Sequence, residues 1–73
     1  MFEVKIFATL RDGREKSYSL SEEQYPTVLD VMNYLDIPRE DVAILLVNGF
    51  HGKPEDTLKD GDMVSLFPPC AGG

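Results

Sequence analysis

Phe2, Val4, Ile6, Ala8 and Leu10 alternate with Glu3, Lys5, Phe7 and Thr9 at the start of the chain. A period of two predicts a strand over residues 2–10 with one buried face. Arg11-Asp12-Gly13-Arg14 follows. Asp-Gly is a turn signal, because glycine accepts positive φ. A second strand is expected over about residues 14–20, with Lys16, Tyr18 and Leu20 on one face, antiparallel to the first.

The period then changes. Val28, Val31, Met32 and Leu35 fall at i, i+3, i+4 and i+7, the apolar stripe of a helix. Thr27 can cap it, and Asp30 favours its positive end. Pro38 ends it at or before Ile37. Residues 42–47, VAILLV, are a continuous apolar run. Such a run predicts a strand buried on both faces. Asn48-Gly49 is a second turn and Asp60-Gly61 a third. Residues 50–60 read as irregular with room for a short strand, and Leu58 is their apolar plug. Met63 to Phe67 reads as the last strand, with Val64 and Leu66 inward and Met63, Ser65 and Phe67 outward. Pro68-Pro69 stops it, since neither residue can donate a ladder hydrogen bond. The order is strand, strand, helix, strand, irregular segment, strand. One helix on one face of a mixed sheet is an α+β fold.

Composition sharpens this picture. The 73 residues leave room for one domain, expected over residues 1–68 with a flexible tail at 69–73. A domain this small carries a stability of roughly 4–11 kcal/mol. A lidded active-site cleft is hard to build on so small a core, so a carrier or subunit is expected rather than an enzyme. Thirteen Asp and Glu against seven scattered Lys and Arg give a net charge of −6. No basic stripe is present for nucleic acid or for an anionic membrane surface. A partner with a basic docking face would be steered in. Cys70 and His51, the single residues of their kinds, cannot build a structural zinc site alone. No signal peptide or long apolar run is visible, so a reduced, cytoplasmic protein is expected.

The candidate chemistry lies at the C-terminus, Cys70-Ala71-Gly72-Gly73. The bland reading is a frayed terminus containing glycine. Here, however, a strand ends at a rigid Pro-Pro step that launches small residues. Such a tail can thread a narrow slot and bring a main-chain carboxylate into another protein's active site. Its reach from Pro69 is at most roughly 17 Å. Once activated as an acyl-adenylate, the carboxylate could accept sulfur or an amine. Ordering the tail costs roughly 5–10 kcal/mol, so docking surface is needed elsewhere. Phe7 and Phe67, both on the solvent face of the sheet, are the candidate patch. Cys70 reads as a tolerated small residue, because nothing nearby in sequence would activate its thiol. His51 reads as a surface or interface residue.

Val4-Lys5-Ile6-Phe7-Ala8-Thr9-Leu10-Arg11, Val47-Asn48-Gly49, Leu58-Lys59-Asp60-Gly61-Asp62 and above all Leu66-Phe67-Pro68-Pro69-Cys70-Ala71-Gly72-Gly73 resemble the small subunit of molybdopterin synthase. That family is the sulfur carrier of molybdenum-cofactor biosynthesis, and the resemblance covers the whole chain. It implies a ubiquitin-like β-grasp fold. It implies that Gly73 is adenylated by an E1-like enzyme using ATP and magnesium, and then receives sulfur from a donor protein as a thiocarboxylate. The chain itself would bind no cofactor. Its tail, including Gly72, Ala71 and Cys70, would enter the large catalytic subunit of the synthase. There the sulfur would build the molybdopterin dithiolene. Phe7, Arg11, Phe67 and Pro68 match partner-contacting positions. Phe50 and His51 occupy another, where His51 departs from the usual apolar residue; Cys70 also departs from the family pattern.

Three alternatives stand beside this expectation. Sulfur carriers for tungsten cofactor, thiamine or cysteine share the fold and the Gly-Gly end. The thiamine carriers tend to lack the Phe-Pro-Pro step. A ubiquitin-like modifier would join Gly73 to lysines. A plain interaction module would not need Gly72 and Gly73 at all.

Overall fold

The computed structural model describes residues 1–69. The expectations for Cys70, Ala71, Gly72 and Gly73 lie outside these residues. Five strands, β1 (Phe2–Ile6), β2 (Ser17–Leu20), β3 (Ile44–Val47), β4 (Phe50–His51) and β5 (Met63–Phe67), form one sheet in the order β2-β1-β5-β3-β4. The central pair, β1 and β5, is parallel, and the other pairs are antiparallel. One helix, α1 (Val28–Tyr34), packs on one face. This is the ubiquitin-like β-grasp architecture.

The helix begins where the sequence places it. Thr27 Oγ1 accepts from the Asp30 N–H at 3.2 Å, and Asp30 Oδ2 accepts from the Thr27 N–H at 3.0 Å, a full capping box. The N–H groups of Val28 and Leu29 donate to the carbonyls of Asp56 and Pro54, so the 54–56 loop satisfies the helix start. Val28, Val31, Met32 and Leu35 are all buried. They meet Phe2, Val4 and Ile6 of β1, Val64 and Leu66 of β5, and Leu45 of β3 in one core. Leu58 is 3% exposed and plugs this core from the irregular segment, as expected. Each such side chain contributes about 1.5–3 kcal/mol by leaving water. Among the described residues no helix is long and apolar enough to cross a membrane.

Three expectations need correction. The first strand stops at Ile6 rather than running to residue 10. Ala8 takes φ +54, and Ala8–Arg11 forms a 3₁₀ turn. Leu10 is buried through that turn and not through strand alternation. The second strand starts at Ser17, so Asp12-Gly13 lies within a longer connection and not at the tip of a tight hairpin. The 42–47 run is a strand only over Ile44–Val47, and it is buried on one face. Leu45 is 7% exposed but Ile44 is 43% exposed, because the helix covers only one side of the sheet.

Candidate functional site

The uncovered face of the sheet is built by strand parity. In β5, Val64 and Leu66 point into the core, while Met63, Ser65 and Phe67 point out. Register then sets the neighbours. Ile44 lies opposite Phe67, while Lys5 and Leu46 flank Ser65. Leu46 in turn faces His51 of β4.

Phe7 lies one residue beyond β1, and its N–H donates to Leu66 O at 3.2 Å. This keeps its side chain in step with β5. Its ring stacks on Phe67 with centroids 4.3 Å apart and planes 11° from parallel. Such a pair adds about 0.5–1.5 kcal/mol beyond area burial. Ala8 then bends the chain, and the turn returns Arg11 to the stack. The Arg11 Nε donates to Ile6 O at 2.8 Å, and its guanidinium carbon lies 5.7 Å from the Phe7 ring centroid. That places a cation over an aromatic face at the root of the tail.

Pro68 continues from Phe67, so the structure brings Phe7, Arg11, Phe67 and Pro68 together at the end of β5. A groove of about 330 Å³ beside it is lined by Thr9, Leu10, Arg14, Asp41, Pro68 and Pro69. Phe50 and His51 stand apart, across the sheet in the edge strand β4. Phe50 is 78% exposed and pairs with Val47, whereas His51 shares the outer parity of Leu46. His51 also lines a shallow cavity of about 200 Å³ with Met32, Arg39, Leu45 and Pro54.

Three residues, Ile44, Leu46 and Arg14, escape a reading of the sequence. Ile44 and Leu46 extend the apolar row beyond Phe67, but a continuous apolar run does not say which face stays open. Only the β3–β5 register shows it. Arg14 is the third. Its guanidinium donates to the carbonyls of Leu10, Leu35 and Asp36 at 2.9, 2.9 and 3.0 Å, and so ties the 3₁₀ turn to the end of the helix.

Three carboxylates are held below their ordinary range: Glu22 first by the hydrogen bond from the N-terminal amine, Glu55 first by that from Arg39, and Asp62 first by the Asn48 side-chain hydrogen bond and then by the Lys59 N–H. Asp62 belongs to the turn before β5. Among the described residues no three His, Cys, Asp or Glu side chains cluster to hold a metal ion.

Solved structures of similar shape come from several settings. SAMP1 of Haloferax volcanii shares 26% identity over 99% of this chain and 98% of its own, with a TM-score of 0.77. A chain in the BexX/CysO complex of Amycolatopsis orientalis shares 26% identity over 100% of both chains, with a TM-score of 0.72. A Pyrococcus furiosus protein assigned as molybdopterin converting factor subunit 1 shares 29% identity over 93% of this chain and 95% of its own, with a TM-score of 0.64. None of the curated proteins matches the chain. The ThiS family pattern matches residues 4–73, and with nearly the whole sequence inside that match the chain belongs to the ThiS family.

Proposed function

We propose that this chain is the sulfur carrier of molybdopterin synthesis, working as the synthase's small subunit. Gly73, presented as a free carboxylate, is adenylated by an E1-like enzyme with ATP and magnesium. The adenylate is displaced by sulfur from a donor protein, and Gly73 becomes a thiocarboxylate. The tail then enters the large synthase subunit and gives its sulfur to the dithiolene. A thiocarboxylate is ionised at neutral pH and nucleophilic at sulfur. It needs no base on this domain, and the catalytic groups belong to the partners.

The observation that carries the reading is the Phe7–Phe67 stack under Arg11, which leads through Pro68-Pro69 into Gly72-Gly73. A docking surface is thereby built at the root of a tail made of small residues. The likeness to a protein assigned as molybdopterin converting factor subunit 1 supports the same pathway. The likeness to SAMP1, a small archaeal modifier protein, favours a second reading in which Gly73 is joined to lysines.

The test is intact-protein mass spectrometry after incubation with an E1-like enzyme, ATP, magnesium and a sulfur donor. Exchange of oxygen for sulfur at Gly73 adds about 16 Da. Consumption of that species by the large synthase subunit identifies the pathway. An unchanged mass, with an enzyme shown to charge a close relative, sinks the carrier reading. Lysine adducts of the tail in extract would move the assignment to a modifier.

A further inference from the structure

The β3–β4 turn carries Asn48-Gly49, with φ +55 and +84. This dipeptide suits a type I′ turn, but it is chemically vulnerable. The backbone nitrogen of the following residue can lose its proton to water or hydroxide and attack the asparagine Cγ. The Cγ–Nδ2 bond breaks, ammonia leaves and a succinimide ring forms. Water then opens the ring to aspartate or isoaspartate. Glycine leaves the attacking nitrogen unshielded, and a Cβ placed at Gly49 would meet nothing within 4 Å. Both residues are exposed to the water that the reaction needs.

A clasp opposes the reaction. Asn48 Nδ2 donates to Asp62 Oδ1 at 2.9 Å, and Asn48 Oδ1 accepts from the Met63 N–H at 2.9 Å. The Asn48 N–H donates to Met63 O at 2.7 Å. Asp62 is itself fixed, since its Oδ2 accepts from the Lys59 N–H at 2.8 Å. The carboxamide is therefore held at both ends on the 59–63 segment. Its Cγ cannot swing toward the Gly49 nitrogen without breaking both side-chain bonds.

We propose that Asn48-Gly49 is a deamidation site that the Asp62 clasp holds shut, and that reaction there forces the clasp open. The plain aspartate product replaces the Nδ2 donor with a carboxylate facing the Asp62 carboxylate. Attraction becomes like-charge repulsion. The isoaspartate product also inserts a methylene into the backbone of the turn. Phe50 follows this turn directly, so its position depends on the state of residue 48. The effect on docking rests on the proposed function; the modification itself does not.

The experiment needs only the isolated chain. Wild type, Asp62→Ala and Val31→Ala are incubated in mildly alkaline buffer and mapped by peptide mass spectrometry. Deamidation adds about 1 Da to the peptide that contains residue 48. Val31 lies in the helix core, so Val31→Ala measures reaction through global opening alone. The two variants are compared at equal fractions unfolded, set with urea. Asp62→Ala is expected to react about tenfold faster than wild type, the factor for one lost hydrogen bond to a charged group, and also faster than Val31→Ala. A rate equal to wild type, or no faster than Val31→Ala, overturns the clasp. Neither result depends on sulfur transfer or on any partner.

Discussion

Asp36 sits at φ +59, just past the end of the helix. The Ile37 N–H reaches Met32 O at 2.8 Å, and the Asp36 N–H reaches Asn33 O at 3.2 Å. These two bonds make a Schellman motif, whose left-handed position glycine fills best. An L-residue there carries roughly 1–2 kcal/mol of steric cost. A carboxylate near the negative end of a helix adds a few tenths more. Glycine would return about 0.5–1 kcal/mol of that gain as extra chain entropy. Asp36→Gly is therefore expected to stabilise the fold by about 1 kcal/mol, read as a higher urea midpoint at unchanged slope. An unchanged or lower midpoint would show that the Asp36 side chain has a compensating role. Left-handed alanine is also why the alternation of residues 2–10 outruns the strand, which stops at Ile6. Ala8 fits the alternation of residues 2–10 perfectly well, and nothing in its side chain announces φ +54. The Leu10 that completes the pattern is buried by another route.

At the scale of elements, the helix was the most legible. Its cap, stripe and stop are local, and local signals survive in one sequence. The turns at Asn48-Gly49 and Asp60-Gly61 were legible for the same reason, with Gly49 and Gly61 both at positive φ. The open side of β3 was not legible, because it depends on which neighbours the strand acquires. Nor was the role of Arg14, whose partners at Leu35 and Asp36 are 21 and 22 residues away. Arg14 joins two elements that share no hydrophobic contact pattern in the sequence. It satisfies helix-end carbonyls and sets a positive charge at the negative end of the helix. Arg14→Ala leaves those carbonyls to water and frees the 3₁₀ turn that carries Arg11. We expect a loss of about 2 kcal/mol, less than three charged hydrogen bonds would suggest because solvent replaces part of them. Arg14→Lys should recover little, since an ammonium cannot match a three-carbonyl fork. Denaturant titration of the two variants checks both statements, and full recovery by lysine would discard the fork argument.

Across the whole molecule, the sheet divides its two faces between folding and docking. The alternation that reveals this was legible in β1 and in β5. Val64 and Leu66 are completely buried, while Phe67 is partly buried beside Phe7. The order of the strands was not legible, because the parallel pairing of β1 with β5 joins the two ends of the chain. Adjacent residues of one strand therefore offer a clean separation. Leu66→Ala removes core contacts and should cost about 2–5 kcal/mol. Against a total of roughly 4–11 kcal/mol, that leaves a marginal fold. Phe67→Ala should cost about 2 kcal/mol of stability, from the lost ring stack together with the partial burial of the ring. In docking, however, it removes the centre of the exposed patch, and a central aromatic is worth about 2 kcal/mol or more, roughly 30-fold in affinity. Urea unfolding and calorimetric titration against the activating enzyme read the two effects separately. The expected pattern is a double dissociation. Leu66→Ala lowers the folded fraction but keeps its affinity once corrected for that fraction, and Phe67→Ala loses affinity even after the same correction. If Phe67→Ala bound as tightly as wild type, the stack would belong to folding, and docking would have to be sought at the Phe50 hairpin on the far side of the sheet.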